Sequence, residues 1–289
     1  MRVAYFTAGS VGAGHLARGV ALERALHRRD ASCELRAFSC PTAFDAQVGL
    51  GHVAVPIDHR ALLDPTSALD TPLGRALSAF DPDLVLVDLF WAPVHHLLPH
   101  LRSEAWLLLR SHPRHWLVGP PELPFSRDRY ARIFTIEPHV TVDGAEPIDP
   151  IVVVDRDDRA PAGSLRAMLD VPLDASFTLV VHAGRPGERA TLEADARAIE
   201  PDAVVRVCDL FTDGAPFPIA RMLGDADRIV GGAGYNLFWE TRALGLADRT
   251  ALRAFPRSID DQAMRLRACA GVVPRTNGAD AIAAAIVRG

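Results

Sequence analysis

A short apolar run, a glycine-rich turn and a stretch with helical apolar spacing open the chain, and the same unit starts again past its middle. This repetition constrains the fold more than any other feature. The first run is Arg2–Thr7, the turn is Gly9-Ser-Val-Gly12-Ala-Gly14-His15, and Gly14–Arg29 has the helical spacing, with a second strand expected over 34–38. Parallel strands need a crossover, so the opening reads as a βαβ unit. Near-continuous apolar runs at 84–87, 105–109 and 132–136 suit strands covered on both faces. Between Gly144 and Gly163 the composition shifts to Pro, Asp and Arg around a short run at 151–154, which marks an interdomain linker. Beyond it, strands are expected at 177–181, 204–208, 228–230 and 250–255, and helices at 161–169, 188–199, 234–244, 259–270 and 278–287. The fold class is α/β, with two Rossmann-like doubly wound parallel-sheet domains in series, 1–147 and 148–289.

A chain of 289 residues, 49% hydrophobic and 23% charged, can bury two substantial cores but not three. Its formal charge of −5 argues against a nucleic-acid partner, which calls for a basic face or stripe. All 31 basic residues are Arg. The absence of Lys excludes a Walker-A lysine, a Schiff base and a lysine general base. Cys33, Cys40, Cys208 and Cys269 show no spacing of a zinc site or disulfide framework and read as small core residues in a reducing compartment. The start MRVAYFTAG reads as a strand rather than a signal peptide, and no apolar stretch reaches membrane-spanning length. The expectation is a cytoplasmic protein without a transmembrane segment.

Three loops carry the chemistry. In the first, Gly12 and Gly14 let backbone N–H groups approach an anion at a helix N-terminus. The dinucleotide fingerprint does not fit, because the spacing is G-x-x-G-x-G and the second strand ends in Ser39 and Cys40 rather than an acid. His15 closes this loop at the carboxyl end of the first strand and is the candidate general base, since an imidazole accepts a proton at neutral pH without special tuning. The second loop, Gly231-Gly232-Ala233-Gly234-Tyr235-Asn236, follows a strand and opens a helix, so it can seat a pyrophosphate on the helix dipole. Glu240, on the second turn, can accept ribose hydroxyls. The third loop contains Gly184 and Arg185, and a guanidinium there can pair with phosphate oxygens. Asp88 ends another apolar run, where α/β sheets bind ligands.

Together these loops resemble the GT-B glycosyltransferases of the MurG type, whose C-terminal half carries a G-G-A-G loop, a helical Glu and a D-D-Q segment, here Gly231–Gly234, Glu240 and Asp260-Asp261-Gln262. The resemblance implies a GT-B fold with two domains facing across a cleft. It also implies that Gly232, Ala233, Gly234, Tyr235 and Asn236 meet a UDP-sugar diphosphate, that Glu240 holds the ribose, that Asp261 and Gln262 serve the donor sugar, and that Phe211 borders the base. It implies a metal-independent hexosyltransferase that needs no cofactor and moves a sugar from a nucleotide-sugar donor to an acceptor hydroxyl. The first loop also resembles UDP-sugar hydrolases of pseudaminic acid synthesis, which deliver water instead, and a non-catalytic sugar-nucleotide binder is a third reading. His95, His96, His100, His112 and His115 form the densest histidine region, but without a helical H-E-x-x-H or nearby Cys they read as cleft or surface groups.

Overall fold

The computed structural model describes residues 1–8, 14–42, 51–210 and 215–288. Two parallel sheets organise them. In the first, β1 (Arg2–Thr7) lies between β2 (Glu34–Ser39) and β4 (Leu84–Asp88), with Phe6 opposite both Phe38 and Val87. β3 (Gly51–Ala54), β5 (Glu104–Leu109), β6 (Arg132–Thr135) and the two-residue β7 (Glu146–Pro147) complete the order β3-β2-β1-β4-β5-β6-β7. The second sheet has β8 (Phe177–His182), β9 (Val204–Asp209), β10 (Arg228–Gly232) and β11 (Thr250–Arg253) in the order β11-β10-β8-β9. Each order reverses once, between β1 and β4 and between β8 and β10. At such a point crossovers leave to opposite sides and open a crevice at the strands' carboxyl ends.

The helices follow from local signals. α1 (Gly14–Arg29) buries Leu16, Val20 and Leu26 and ends on Arg28 and Arg29, cations that suit the negative end of its dipole. After α2 (His59–Leu62), α3 (Pro72–Phe80) starts where the Thr71 hydroxyl accepts from the Gly74 N–H at 3.0 Å, and it buries Leu73, Leu77 and Phe80. The second half contributes α4 (Ser164–Met168), α5 (Pro186–Ile199), α6 (Tyr235–Ala243), α7 (Gln262–Ala268) and α8 (Gly278–Arg288). Among the described residues no helix is long and apolar enough to cross a membrane.

Several boundaries differ from the sequence reading for identifiable reasons. β3 and β7 are edge strands with half-exposed or exposed residues, so they lack the continuous apolar run of a central strand. α7 begins at Gln262 rather than 259 because the Asp261 side chain caps it, accepting from the Met264 N–H at 2.8 Å. The run 151–154 joins no sheet. Its four residues are buried in a cluster that runs from Val3 and Leu22 of the first sheet's layers to Phe177, Trp239 and Ile282 of the second's. α8 crosses back to pack on α1, with Arg28 bridging to Asp280 at 2.8 Å. The sheets are thereby held with both reversal points toward one cavity.

Candidate active site between the two sheets

At the first reversal point Asp88 ends β4 with no exposed surface. One of its oxygens, Oδ2, accepts from the Tyr5 hydroxyl at 2.5 Å, from Arg18 Nη2 at 2.7 Å and Nε at 3.1 Å, and faces His15 Nδ1 at 2.9 Å. Burial alone would raise the Asp88 pKa, but Arg18 and His15 hold it well below the usual carboxylate range. An ionised carboxylate at Nδ1 fixes the imidazole proton there, which leaves Nε2 as the basic nitrogen. Arg18 Nη2 is also 2.7 Å from Nδ1 and donates to the same carboxylate oxygen at 2.7 Å. Burial lowers the His15 pKa to about 4 against the opposing pull of Asp88, so the ring is neutral at pH 7.

Leu89 turns the chain directly after Asp88. Its φ of 67° lies in the left-handed region, uncommon for a residue with a Cβ, and Trp116 Nε1 pins its carbonyl at 3.0 Å. The turn sets Phe90 against His15, with ring centroids 5.1 Å apart.

A buried charge relay crosses from this centre to the second half. Arg110, just past β5, bonds Asp260 at 2.8 Å. Asp260 also accepts from Arg265 Nη2 at 2.6 Å, and Arg265 pairs with Glu137, just past β6, through Nε at 2.5 Å and Nη2 at 3.0 Å. Glu137 further accepts from the Ser111 N–H at 2.6 Å and Trp239 Nε1 at 2.9 Å. Burial would raise the Glu137 pKa, and Arg265 with these donors keeps it lowered and ionised. Arg265 Nη1 ends the chain on the Ala233 carbonyl of the second glycine loop at 2.9 Å.

At the second reversal point the carboxyl end of β10 is closely packed at its first glycine. A Cβ on Gly231 would lie 2.3 Å from the Leu237 side chain and 3.1 Å from the Val181 carbonyl, whereas one on Gly234 would meet open space. The α6 N-terminus is therefore approachable, and it abuts α1: Arg18 Nη1 reaches the Asn236 side chain at 3.3 Å. Glu240 is 5% exposed, and burial pushes its pKa up to about 7 while the Val153 N–H steadies its charge. At the third loop a Cβ on Gly184 would collide with the Glu188 carboxylate, which Arg257 grips with two bonds of 2.6 Å.

These groups surround a cavity of about 400 Å³. Gly14, His15, Gly184, Arg185, Gly232, Gly234, Tyr235, Asn236, Glu240 and Gln262 line it together. Asp88 stands behind His15, and Ala233 is wholly buried. Gln262 spends its side-chain oxygen on the Phe255 N–H at 2.9 Å, while Asp261 is outside the lining as the cap of α7 and its neighbour Asp260 lines the cavity instead. Gly12 and Phe211 fall outside the described residues. His95, His96, His100, His112 and His115 do not line the cavity, and His95 is buried against Trp91. Among the described residues no three His, Cys, Asp or Glu side chains are grouped as metal ligands.

The sequence reading missed Arg18, Arg110, Glu137, Arg257 and Arg265, and within the D-D-Q segment it gave roles to Asp261 and Gln262 but not to Asp260. For Arg110 and Glu137 the signal was present. Each follows the apolar run of a buried parallel strand, which is the same rule that selects Asp88.

Solved structures share this fold over the whole chain. The spinosyn forosaminyltransferase SpnP matches at a TM-score of 0.62 and 18% identity, covering 100% of this chain and 90% of its own. The spinosyn rhamnosyltransferase SpnG complexed with thymidine diphosphate gives 0.55 and 17%, covering 100% and 92%. Sucrose-phosphate synthase from Thermosynechococcus elongatus gives 0.53 and 12%, covering 100% and 89%. No protein-family model and no curated protein matches the sequence. The chain has the GT-B fold, two Rossmann-like parallel sheets with a cleft between them, and its structural neighbours are glycosyltransferases.

Proposed function

We propose that the protein is a glycosyltransferase that moves a sugar from a nucleotide-sugar donor, UDP-linked in the first instance, to an acceptor hydroxyl. The observation that carries this reading is the Asp88–His15 pair, 2.9 Å apart at one reversal point, facing across a single cavity the open glycine loop at the other. Residues 148–289 bind the donor and residues 1–147 present the acceptor. The diphosphate rests on the N–H groups that begin α6, Arg185 adds a cation at the start of α5, and Glu240 accepts ribose hydroxyls. His15 Nε2 takes the acceptor proton as the acceptor oxygen bonds to the anomeric carbon. The bond from that carbon to the phosphate oxygen breaks with its electron pair going to the phosphate. Asp88 holds the ring and balances the imidazolium that forms. The thymidine diphosphate seen with SpnG supports a pyrimidine nucleoside diphosphate, with dTDP as the second donor to test.

Product analysis with UDP- and dTDP-sugars tests the reaction class. Release of nucleoside diphosphate only in the presence of an acceptor alcohol is expected. Free sugar formed at the same rate without acceptor makes the protein a hydrolase, and binding without turnover makes it a silent sugar-nucleotide binder.

Glu240 supplies a separate prediction. Glu240→Ala should weaken UDP binding by about 1.5–3 kcal/mol, the loss of hydrogen bonds to a charged group, with a melting curve taken to exclude a change of fold. The carboxylate form accepts hydroxyls and the acid form does so poorly. With its pKa at about 7, affinity should therefore rise with pH through that value, beyond the contribution of the phosphate itself. Glu240→Gln removes the group's own titration, so subtracting its pH profile isolates the effect. Parallel profiles for the two proteins would contradict the assignment.

A further inference from the structure

We infer that Arg110 is the first half's ligand to the donor diphosphate, completing from across the cleft an anion site otherwise built by the second half. The inference rests on reading the cavity as a nucleotide-sugar site. Arg110 is 6% exposed and lines the cavity beside His15 and Asp260. Its Nη1 is used by Asp260 at 2.8 Å, its Nη2 is 3.5 Å from His15 Nε2, too long for a good bond, and its buried Nε has no hydrogen-bond partner among the described residues. A buried guanidinium N–H without an acceptor is costly, and a ligand oxygen arriving in the cavity relieves that cost.

The surrounding charges sharpen the argument. Arg18 is committed to Asp88, Arg257 to Glu188, and Arg265 to Glu137 and Asp260. Arg110 has only a share of Asp260, whose same oxygen Arg265 holds at 2.6 Å. The chain Arg110–Asp260–Arg265–Ala233 also ties this cation to the loop that begins α6, so it stands between the base and the anion-seating N–H groups. As the bond from the anomeric carbon breaks, the electron pair stays on the β-phosphate oxygen. Arg110 meets that charge with N–H donors and transfers no proton.

Calorimetry with UDP, dTDP and UMP on the wild type, Arg110→Gln, Arg110→Lys and Asp260→Asn tests the inference. Arg110→Gln should weaken whichever diphosphate the wild type binds by about 10- to 100-fold and UMP by less than about threefold. Arg110→Lys should fall between, since it keeps the charge and loses the fork. Asp260→Asn should tighten diphosphate binding, because it removes the carboxylate that competes for Arg110. Diphosphate affinity within about twofold of wild type in a normally melting Arg110→Gln protein overturns the inference, as does an equal loss for UDP and UMP. If Arg110→Gln melts low, Arg110→Lys decides by the same two criteria. A wild type that binds neither UDP nor dTDP overturns the nucleotide-site reading itself.

Discussion

Replacing His15 with Ala or Asn should lower kcat by about 10²- to 10⁴-fold, the usual share of a general base, while leaving nucleoside diphosphate affinity nearly unchanged. The split arises because the imidazole stands on the first sheet's side of the cavity and the glycine loop proposed to seat the diphosphate on the second's. The pH profile gives an independent signature. The base must be neutral to act, and burial lowers its pKa to about 4, so the acid limb of kcat/KM should lie near that value rather than near 6.5. Stability carries the same sign. The unfolded chain protonates this imidazole near its ordinary value of about 6.5 and the folded one only near 4. His15 therefore disfavours the native state progressively as pH falls through that window, and His15→Asn should flatten this part of the stability curve. A variant that keeps wild-type turnover would remove His15 from the mechanism and make Asp88 the next group to test.

Arg265→Leu should destabilise the protein by about 3–5 kcal/mol and lower its melting temperature by about 10 °C, read by thermal and urea denaturation. Arg265 has no exposed surface, and Glu137 is 1% exposed. Removing the guanidinium leaves a buried carboxylate with only the Ser111 N–H and Trp239 Nε1 as donors, and it frees the Ala233 carbonyl of the second glycine loop. Adding Glu137→Gln should recover part of the loss by removing the unpaired buried charge, although the amide oxygen replaces only one of the two carboxylate oxygens that accept from Ser111 and Trp239. A cost below about 1 kcal/mol for Arg265→Leu would mean the relay contributes nothing to holding the halves together.

The central strands and first helix were legible because parallel-sheet burial and helical spacing are local signals. β1 and α1 carry the expected bounds, Arg2–Thr7 and Gly14–Arg29, and β4, β5, β8 and β9 differ by about one residue. α3 was legible in principle, since Thr71-Pro72 announces a helix start and Leu73, Leu77 and Phe80 share one face, but it was passed over. The grouping of His15, Glu240 and the second glycine loop followed from strand-end logic and family resemblance. The relay did not. Arg18 and Arg265 look like ordinary surface charges in sequence, and although Arg110 and Glu137 stand at strand ends, nothing local shows their partners; only long-range pairing, over 70 to 150 positions, lets these groups be buried. The role of Asp261 as a helix cap was likewise invisible, because the D-D-Q pattern does not show which carboxylate turns toward the cavity.

Calorimetric titration of the wild-type protein with UDP, dTDP, ADP and NAD tests the central claim most directly. The account predicts that UDP or dTDP binds, that both ADP and NAD bind more weakly, and that the affinity falls in Glu240→Ala but is kept in His15→Ala. ADP or NAD binding at least as tightly as the pyrimidine nucleotides would contradict the reading of the second half as a nucleotide-sugar donor site.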